Sequence, residues 1–443
     1  MKTPIYDFVT EYAKENNVRM HMPGHKGAGD IEKYDITEIG GADSLYEADG
    51  IIKESEKNAS SLFGADTFYS AEGSSLSIRA MIRLITLYAR EEKRDPIILA
   101  TRNAHKTFVS AVALTDARVE WLFGGGDTYL SASLTAEDVE AAILTLPEPP
   151  VAVYLTTPDY LGSMLDVAAI SRVCKKHRVL LAVDNAHGAY LKFLENSLHP
   201  IDLGADICCD SAHKTLPCIT GAAYLHISKS APGVLRENAK DALALFGSTS
   251  PSYLILTSLD RINGYLAEDF PRDLSRLVKR VDELKSALGD LGYSLFGSEP
   301  MKITLMTKPY GYYGYELAER LLTFGIVHEF ADRDFLTLMP STRTTDEEIS
   351  KILLAFKSIE KRALIEETAP KVVNAKRTMT PREAIFSPCE EISPDKALGR
   401  VLGAITVGCP PAVPIIVSGE TVDENAICAF KYYGIERIKV VKK

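Results

Sequence analysis

The stretches VLLAVDNAHGAY (residues 179–190) and ICCDSAHKTL (207–216) decide the fold. Each is a short, continuously apolar run that stops at polar residues: Asp184 and His187 in the first, Ser211, His213 and Lys214 in the second. A brief apolar run without alternation reads as a strand buried on both faces. The same form recurs at Ile97–Ala100, Val151–Leu155 and Ala222–Ile227, with segments of helical periodicity, such as Leu76–Arg90 and Val167–Lys176, between several of them. Buried strands alternating with helices predict an α/β fold with a mostly parallel sheet covered on both faces.

The rest of the chain arranges itself around that sheet. At about 150 residues per domain, 443 residues allow two or three structural units. Residues 1–55 read as an N-terminal arm, with Ile5, Phe8, Val9 and Tyr12 at helical spacing in Ile5–Asn16, followed by the Gly-rich HMPGHKGAGD. Residues 56–289 read as the large ligand-binding domain, closing in one long helical passage that Pro271 interrupts. Residues 290–365 read as a smaller α+β domain, with strands at Lys302–Met306 and Phe335–Met339 and helices at Tyr315–Phe324 and Asp346–Lys361. The Pro- and Gly-richer residues 366–443 form a tail or subdomain with a late helix and a short strand.

Composition narrows the function classes. With 46% hydrophobic residues the chain is too apolar for disorder. Sixty acidic against fifty basic residues give a net charge of −10, which argues against nucleic acid or an anionic membrane as partner. Seven cysteines, at 174, 208, 209, 218, 389, 409 and 428, contain no C-x-x-C pair. They read as reduced thiols and not as a disulfide framework or a zinc site, so no metal is expected. No apolar h-region opens the chain and no run approaches 18 apolar residues, so the expected setting is the cytoplasm.

In an open parallel sheet, ligands bind outside the carboxyl ends of the strands. Here four strand ends bring His105, Asp184 with His187, and His213 with Lys214 to one rim, alongside TTPDYLG at 156–162. Lys214 is the candidate nucleophile, because burial lowers an ammonium pKa and frees its lone pair. Asp184 needs a cationic or donor partner at the end of a buried strand. Gly73, Ser74 and Ser75 open a helix whose free N–H groups suit a phosphate. Taken singly, each has a plain structural explanation: a snorkelling strand-end lysine, an N-capping aspartate or serine, a core histidine. The set is more discriminating than its members.

The set resembles a fold-type I pyridoxal-phosphate enzyme. More narrowly, HMPGHKGAG (21–29), DITEIGGADSL (35–45), the AHK at 104–106, AHKTLPCITGAAYLH (212–226), STSPSY (248–253) and PPAVPIIVSGE (410–420) resemble the ornithine/lysine/arginine decarboxylase family, in its short form without the N-terminal wing domain. The resemblance implies an aspartate-aminotransferase-like large domain and pyridoxal 5'-phosphate as cofactor. Lys214 would then hold the cofactor covalently and Asp184 would pair with its pyridinium nitrogen. His105 would stack over the ring and Ala186 would pack below it. Ser74 and Ser75 would bind phosphate, with Gly73, His187, Ser211 and His213 nearby. Thr249 would approach the cofactor from another subunit, which makes a homodimer or higher homo-oligomer the expected unit. Glu420 matches a position that lies close to substrate in relatives.

The implied reaction is α-decarboxylation of a basic L-amino acid, with Lys214 or His213 returning a proton to Cα. A distal ammonium or guanidinium calls for a carboxylate, and Asp43, Glu47, Asp49 and Glu420 are the candidates. Arg343 keeps an aminotransferase or another lyase open, since it could hold an α-carboxylate. A cofactor-binding protein without catalysis is the third alternative. Relatives read D-E-A-H-G-A-H where this chain has DNAHGAY, with Asn185 and Tyr190; a glutamine after the threonine at 220 and a proline before Gly50 are also missing. These departures fall where substrate choice is expected to be decided.

Overall fold

A computed structural model describes all residues except 16, 127, 372–373 and 405–410. Cys409 and Pro410 therefore lie outside the described residues. The large sheet has seven strands: β1 Asp66–Ser70, β2 Ile97–Thr101, β3 Arg118–Leu122, β4 Ala152–Thr156, β5 Leu180–Asp184, β6 Ile207–Asp210 and β7 Ala223–Ile227. Their order is β1-β7-β6-β5-β4-β2-β3. Strands β5 and β6 run parallel, while β7 runs antiparallel to both β6 and β1. The mostly parallel α/β sheet expected from the apolar runs is present, and β2, β5, β6 and β7 are buried at every residue. Two strands escape a search for continuous apolar runs: DTFYS at β1 and RVEWL at β3 mix polar and apolar positions.

Packing divides the chain into two compact units: Met1–Ile98 with Leu146–Leu155 and Val167–Leu274, and Leu99–Thr145 with Thr156–Asp166 and Ser275–Lys443. In the first, the helix Gly73–Glu91 buries Leu76, Ala80, Met81, Leu84 and Ile85 completely. Their three- and four-residue spacing makes one apolar face, and each buried Leu or Ile contributes about 2 kcal/mol. The expected helical passage at 261–289 resolves into helices Tyr253–Ala267 and Phe270–Asp290. Pro271 is the second residue of the later helix, where its missing N–H has no intrahelical partner to lose.

In the second unit, strands Phe330–Ala331, Phe335–Leu338, Ile303–Met306 and Ser294–Phe296 form an antiparallel sheet in that order. The helix Asp346–Lys357 starts on a capping box, in which Thr345 accepts from the Glu348 amide while Glu348 accepts from the Thr345 amide. Residues beyond 366 pair Cys389–Ile392 with Ile438–Val441 and build a core from Leu402, Ile415, Val422, Phe430 and Ile438. Among the described residues no helix is long and apolar enough to cross a membrane.

Candidate active site

In the first unit, the carboxyl ends of β5 and β6 carry the rim residues. Asp184 is the last residue of β5 and only 2% exposed. Its hydrogen bonds within the described chain come from neutral donors: the Ala186 amide at 3.2 Å, Tyr154 Oη at 3.3 Å and Cys209 Sγ at 3.7 Å. Burial pushes its carboxyl above the ordinary range, and the charge of Lys214 pulls it back. A desolvated carboxylate with three long neutral bonds has unused capacity for a cationic N–H.

Lys214 lies in the single helical turn Ala212–Thr215 just after β6, where it is half-buried. Its Nζ donates to Nε2 of the buried His187 at 3.1 Å. His213 donates through Nδ1 to the Ala222 carbonyl at 2.9 Å, which leaves Nε2 without a proton. Burial, and then the neighbouring Lys214, lowers the His213 pKa, so the ring is neutral at pH 7.

The helix start expected to suit a phosphate lies beside this turn. Gly73 opens its helix with φ +70°, a left-handed conformation that glycine adopts freely. A Cβ there would meet only His213 Cε1, at 4.0 Å, so the backbone borders open space. Among the described residues no side chain caps the helix start, and Ser211 Oγ donates to Ser74 Oγ at 2.8 Å. Ser75 occupies the same first turn. The Ser248 amide donates to Glu72 Oε1 at 2.6 Å, which ties the serine-rich loop and the exposed Thr249 to the start of the helix. The donor set fits pyridoxal phosphate: an amine, a carboxylate awaiting a cation, hydroxyls at an uncapped helix start, and the small Ala186.

Asp43, also in this unit, is 5% exposed and accepts from the amides of Ser44, Asp49, Gly50, Ile52 and Lys53 at 2.9–3.3 Å. It organises the turn into helix Ile51–Phe63, while Glu47 and Asp49 are exposed. The second unit holds three further candidates. His105 caps the helix Lys106–Thr115, its Nδ1 accepting from the Thr107 amide at 3.1 Å. Glu420 is 2% exposed and accepts from Arg102 at 3.1 Å and from the Val417 amide at 2.7 Å. Arg343 is exposed, three residues ahead of the helix Asp346–Lys357.

Sequence reasoning passed over Tyr154, Cys209, His199, Asp210 and His226. A tyrosine inside an otherwise apolar strand was the available signal, because a buried phenol needs a partner. His199, Cys208 and Asp210 present ligand atoms within 4.8 Å of one another. However, His199 Nδ1 accepts from the Ile201 amide at 3.4 Å, so the proton resides on Nε2, which donates to Asp210 Oδ2 at 3.1 Å. The nitrogen a metal would need already carries that proton.

The family model described as "Orn/Lys/Arg decarboxylase, major domain" matches residues 3–308. The uncharacterized protein YaaO of Bacillus subtilis is 30% identical, over 96% of this chain and 93% of its own. An arginine decarboxylase of Halalkalibacterium halodurans is 28% identical, over 96% and 92%. The E. coli constitutive lysine decarboxylase structure matches with TM-score 0.76 at 18% identity, covering 100% of this chain and 82% of that one. The lysine decarboxylase LdcF of Francisella novicida matches with TM-score 0.79 at 16% identity, over 99% and 81%. These structures establish the fold as aspartate-aminotransferase-like, fold type I.

Proposed function

Because the chain belongs to the Orn/Lys/Arg decarboxylase family, we propose that it releases the α-carboxylate of arginine, lysine or ornithine as CO2 with pyridoxal 5'-phosphate as cofactor. One observation carries the reading: Asp184, buried at the end of β5, keeps a carboxylate that among the described residues only long neutral hydrogen bonds engage, within the field of Lys214. When bound, pyridoxal phosphate supplies a covalent attachment for the amino group and a sink for the electron pair that CO2 leaves behind.

The remaining work falls to the chain. Lys214 Nζ would hold the cofactor, and Asp184 would keep the ring nitrogen protonated by offering it an ion pair. Ser74, Ser75, Ser211 and the N–H groups of the helix start would hold phosphate, while Ala186 leaves room for the ring. His187 Nε2 orients the Lys214 amine, and the bare His213 Nε2 can carry a proton to Cα or take one from Lys214. Asp43 and Glu420 spend their carboxylates on backbone amides and on Arg102, so the distal cation finds its carboxylate elsewhere. The exposed Thr249 suits a role in a second copy's site, which makes a homodimer the proposed unit.

The test is CO2 and amine formation from the three amino acids by the purified full chain loaded with pyridoxal phosphate. Turnover of one of them, lost in Lys214→Ala, supports the reading. Keto-acid formation would support an aminotransferase instead, and binding without turnover would leave a non-catalytic cofactor protein.

A further inference from the structure

Asp210 closes β6 one residue before Ser211, and Asn185 follows Asp184 at the end of the parallel β5. Both side chains are completely buried. Asn185 Nδ2 donates to Asp210 Oδ1 at 2.6 Å, and the Asn185 amide donates to the Cys209 carbonyl at 3.0 Å. His199 Nε2 and His226 Nε2 each donate to Asp210 Oδ2 at 3.1 Å. Thr67 Oγ1 lies 2.9 Å from His226 Nδ1, and Phe63 packs against both imidazoles, with ring centres 4.4 Å and 5.5 Å away. Every acceptor site on this carboxylate that faces a donor is in use.

The side-chain amide of Asn185 has one workable orientation. Its Oδ1 has no hydrogen-bond partner among the described residues, so turning the amide over would set oxygen against the Asp210 carboxylate. Gly188 makes room for it, since a Cβ there would fall 2.0 Å from Asn185 Oδ1. Asparagine is thus matched to aspartate at 210. A glutamate at this place would put a second desolvated carboxylate against the first.

We propose that Asn185 and Asp210 are positioning residues: a buried, charge-assisted clamp between the ends of β5 and β6 that fixes the spacing of Asp184 and Lys214, the departure at 185 being matched to Asp210 and not a determinant of substrate choice. The proposal rests on the function proposed above for the meaning of that spacing, though the pairing itself does not. The clamp acts from the opposite face of β6 to Cys209, because successive side chains alternate along a strand. It touches neither substrate nor cofactor.

Four variants of the full chain test it: Asn185→Glu, Asp210→Asn, the two combined, and Asn185→Ala as a variant that adds no charge. Three readouts are taken: the melting midpoint without cofactor, the pyridoxal phosphate dissociation constant, and the ranking of arginine, lysine and ornithine by turnover. Asn185→Glu should melt about 10 °C lower or fail to fold, as expected for two buried like charges. The combined variant restores one donor amide and one carboxylate with their places exchanged, and it should regain at least half of that loss. Asn185→Ala should bind the cofactor about tenfold more weakly, the worth of one hydrogen bond to a charged group, and its ranking of arginine, lysine and ornithine should match the parent's. A combined variant no more stable than Asn185→Glu, unchanged cofactor affinity in Asn185→Ala, or a changed ranking would each overturn the proposal. A parent protein that binds no pyridoxal phosphate would overturn the function reading alone, because the melting series still tests the pair.

Discussion

Asp184 and Asp210 end adjacent parallel strands, lie equally deep, and meet opposite electrostatic surroundings. Asp210 receives three side-chain N–H donors, Asn185 at 2.6 Å and His199 and His226 at 3.1 Å each. Burial alone would raise it, but the two imidazoles and their hydrogen bonds hold its carboxyl well below the ordinary carboxylate range. At His226 the balance tips the other way, since burial outweighs Asp210 and pushes that imidazole down. Asp184 receives long neutral bonds, and its carboxyl is pushed up. Among the described residues, the fold gives one carboxylate N–H donors from three side chains and the other only longer, neutral bonds. A group left short at depth costs stability, and the geometry at Asp184 is that of a group held ready for something brought from outside.

The comparison breaks most visibly in catalysis. Asp184→Asn should lower turnover by on the order of 10²–10³-fold, as for loss of a preorganised charge, whereas Asp210→Asn should cost no more than about a tenth of that. Equal losses in steady-state assays at saturating cofactor would erase the distinction. Stability should show the reverse. Asp210→Asn removes the charge that the surrounding donors serve and should destabilise the apoprotein by about 3–5 kcal/mol in urea unfolding.

A third buried carboxylate sharpens the contrast through pH. Asp260 accepts from Ser55 Oγ at 2.5 Å and the Tyr6 amide at 2.9 Å, yet burial raises its pKa from 3.8 to about 6. In the unfolded chain it ionises near 3.8, and in the folded chain only near 6. Its contribution to stability is therefore full below pH 3.8 and falls as pH rises to about 6, by about 2–3 kcal/mol. Asp210 has the opposite sign: its contribution is present above the unfolded pKa and is lost as pH falls through the depressed folded one. Urea midpoints across about pH 3–7 should therefore diverge from the parent in opposite directions as pH rises, upward for Asp260→Asn and downward for Asp210→Asn. The smallest effect belongs to Asp184→Asn without cofactor, which should gain about 1 kcal/mol at pH 7 by removing an under-satisfied charge. A loss of stability there would mean that Asp184 is as fully served as Asp210.

The strand ends were legible because apolar runs stop at polar residues: Asp184 and Lys214 stand at such stops, and the strands that precede them lie where the runs predicted. The edge strand RVEWL was not legible, because polar and apolar positions mix where one face is less buried. The direction of β7 was also hidden, since nothing in AAYLHI distinguishes parallel from antiparallel pairing. Asp43 looked like a free acid in a loop, and only folding brings five backbone amides around it. His199 carries no local signal at all: it meets Asp210 through a connection that composition does not mark. The departure at Asn185 was visible as an oddity, but its partner at 210 needed coordinates.

Neither compact unit is a continuous length of chain. The first is assembled from three separated stretches, the last of which ends at Leu274. Strand β1 pairs with β7, so its partner edge is made only after the intervening sequence has been synthesised. A ribosome translating this message therefore exports an unpaired strand edge well before its complement exists, an interval in which edge-to-edge association competes with folding. For the same reason, cutting the gene at any single point between residues 70 and 223 yields a β1 with no β7 on its own chain to pair with.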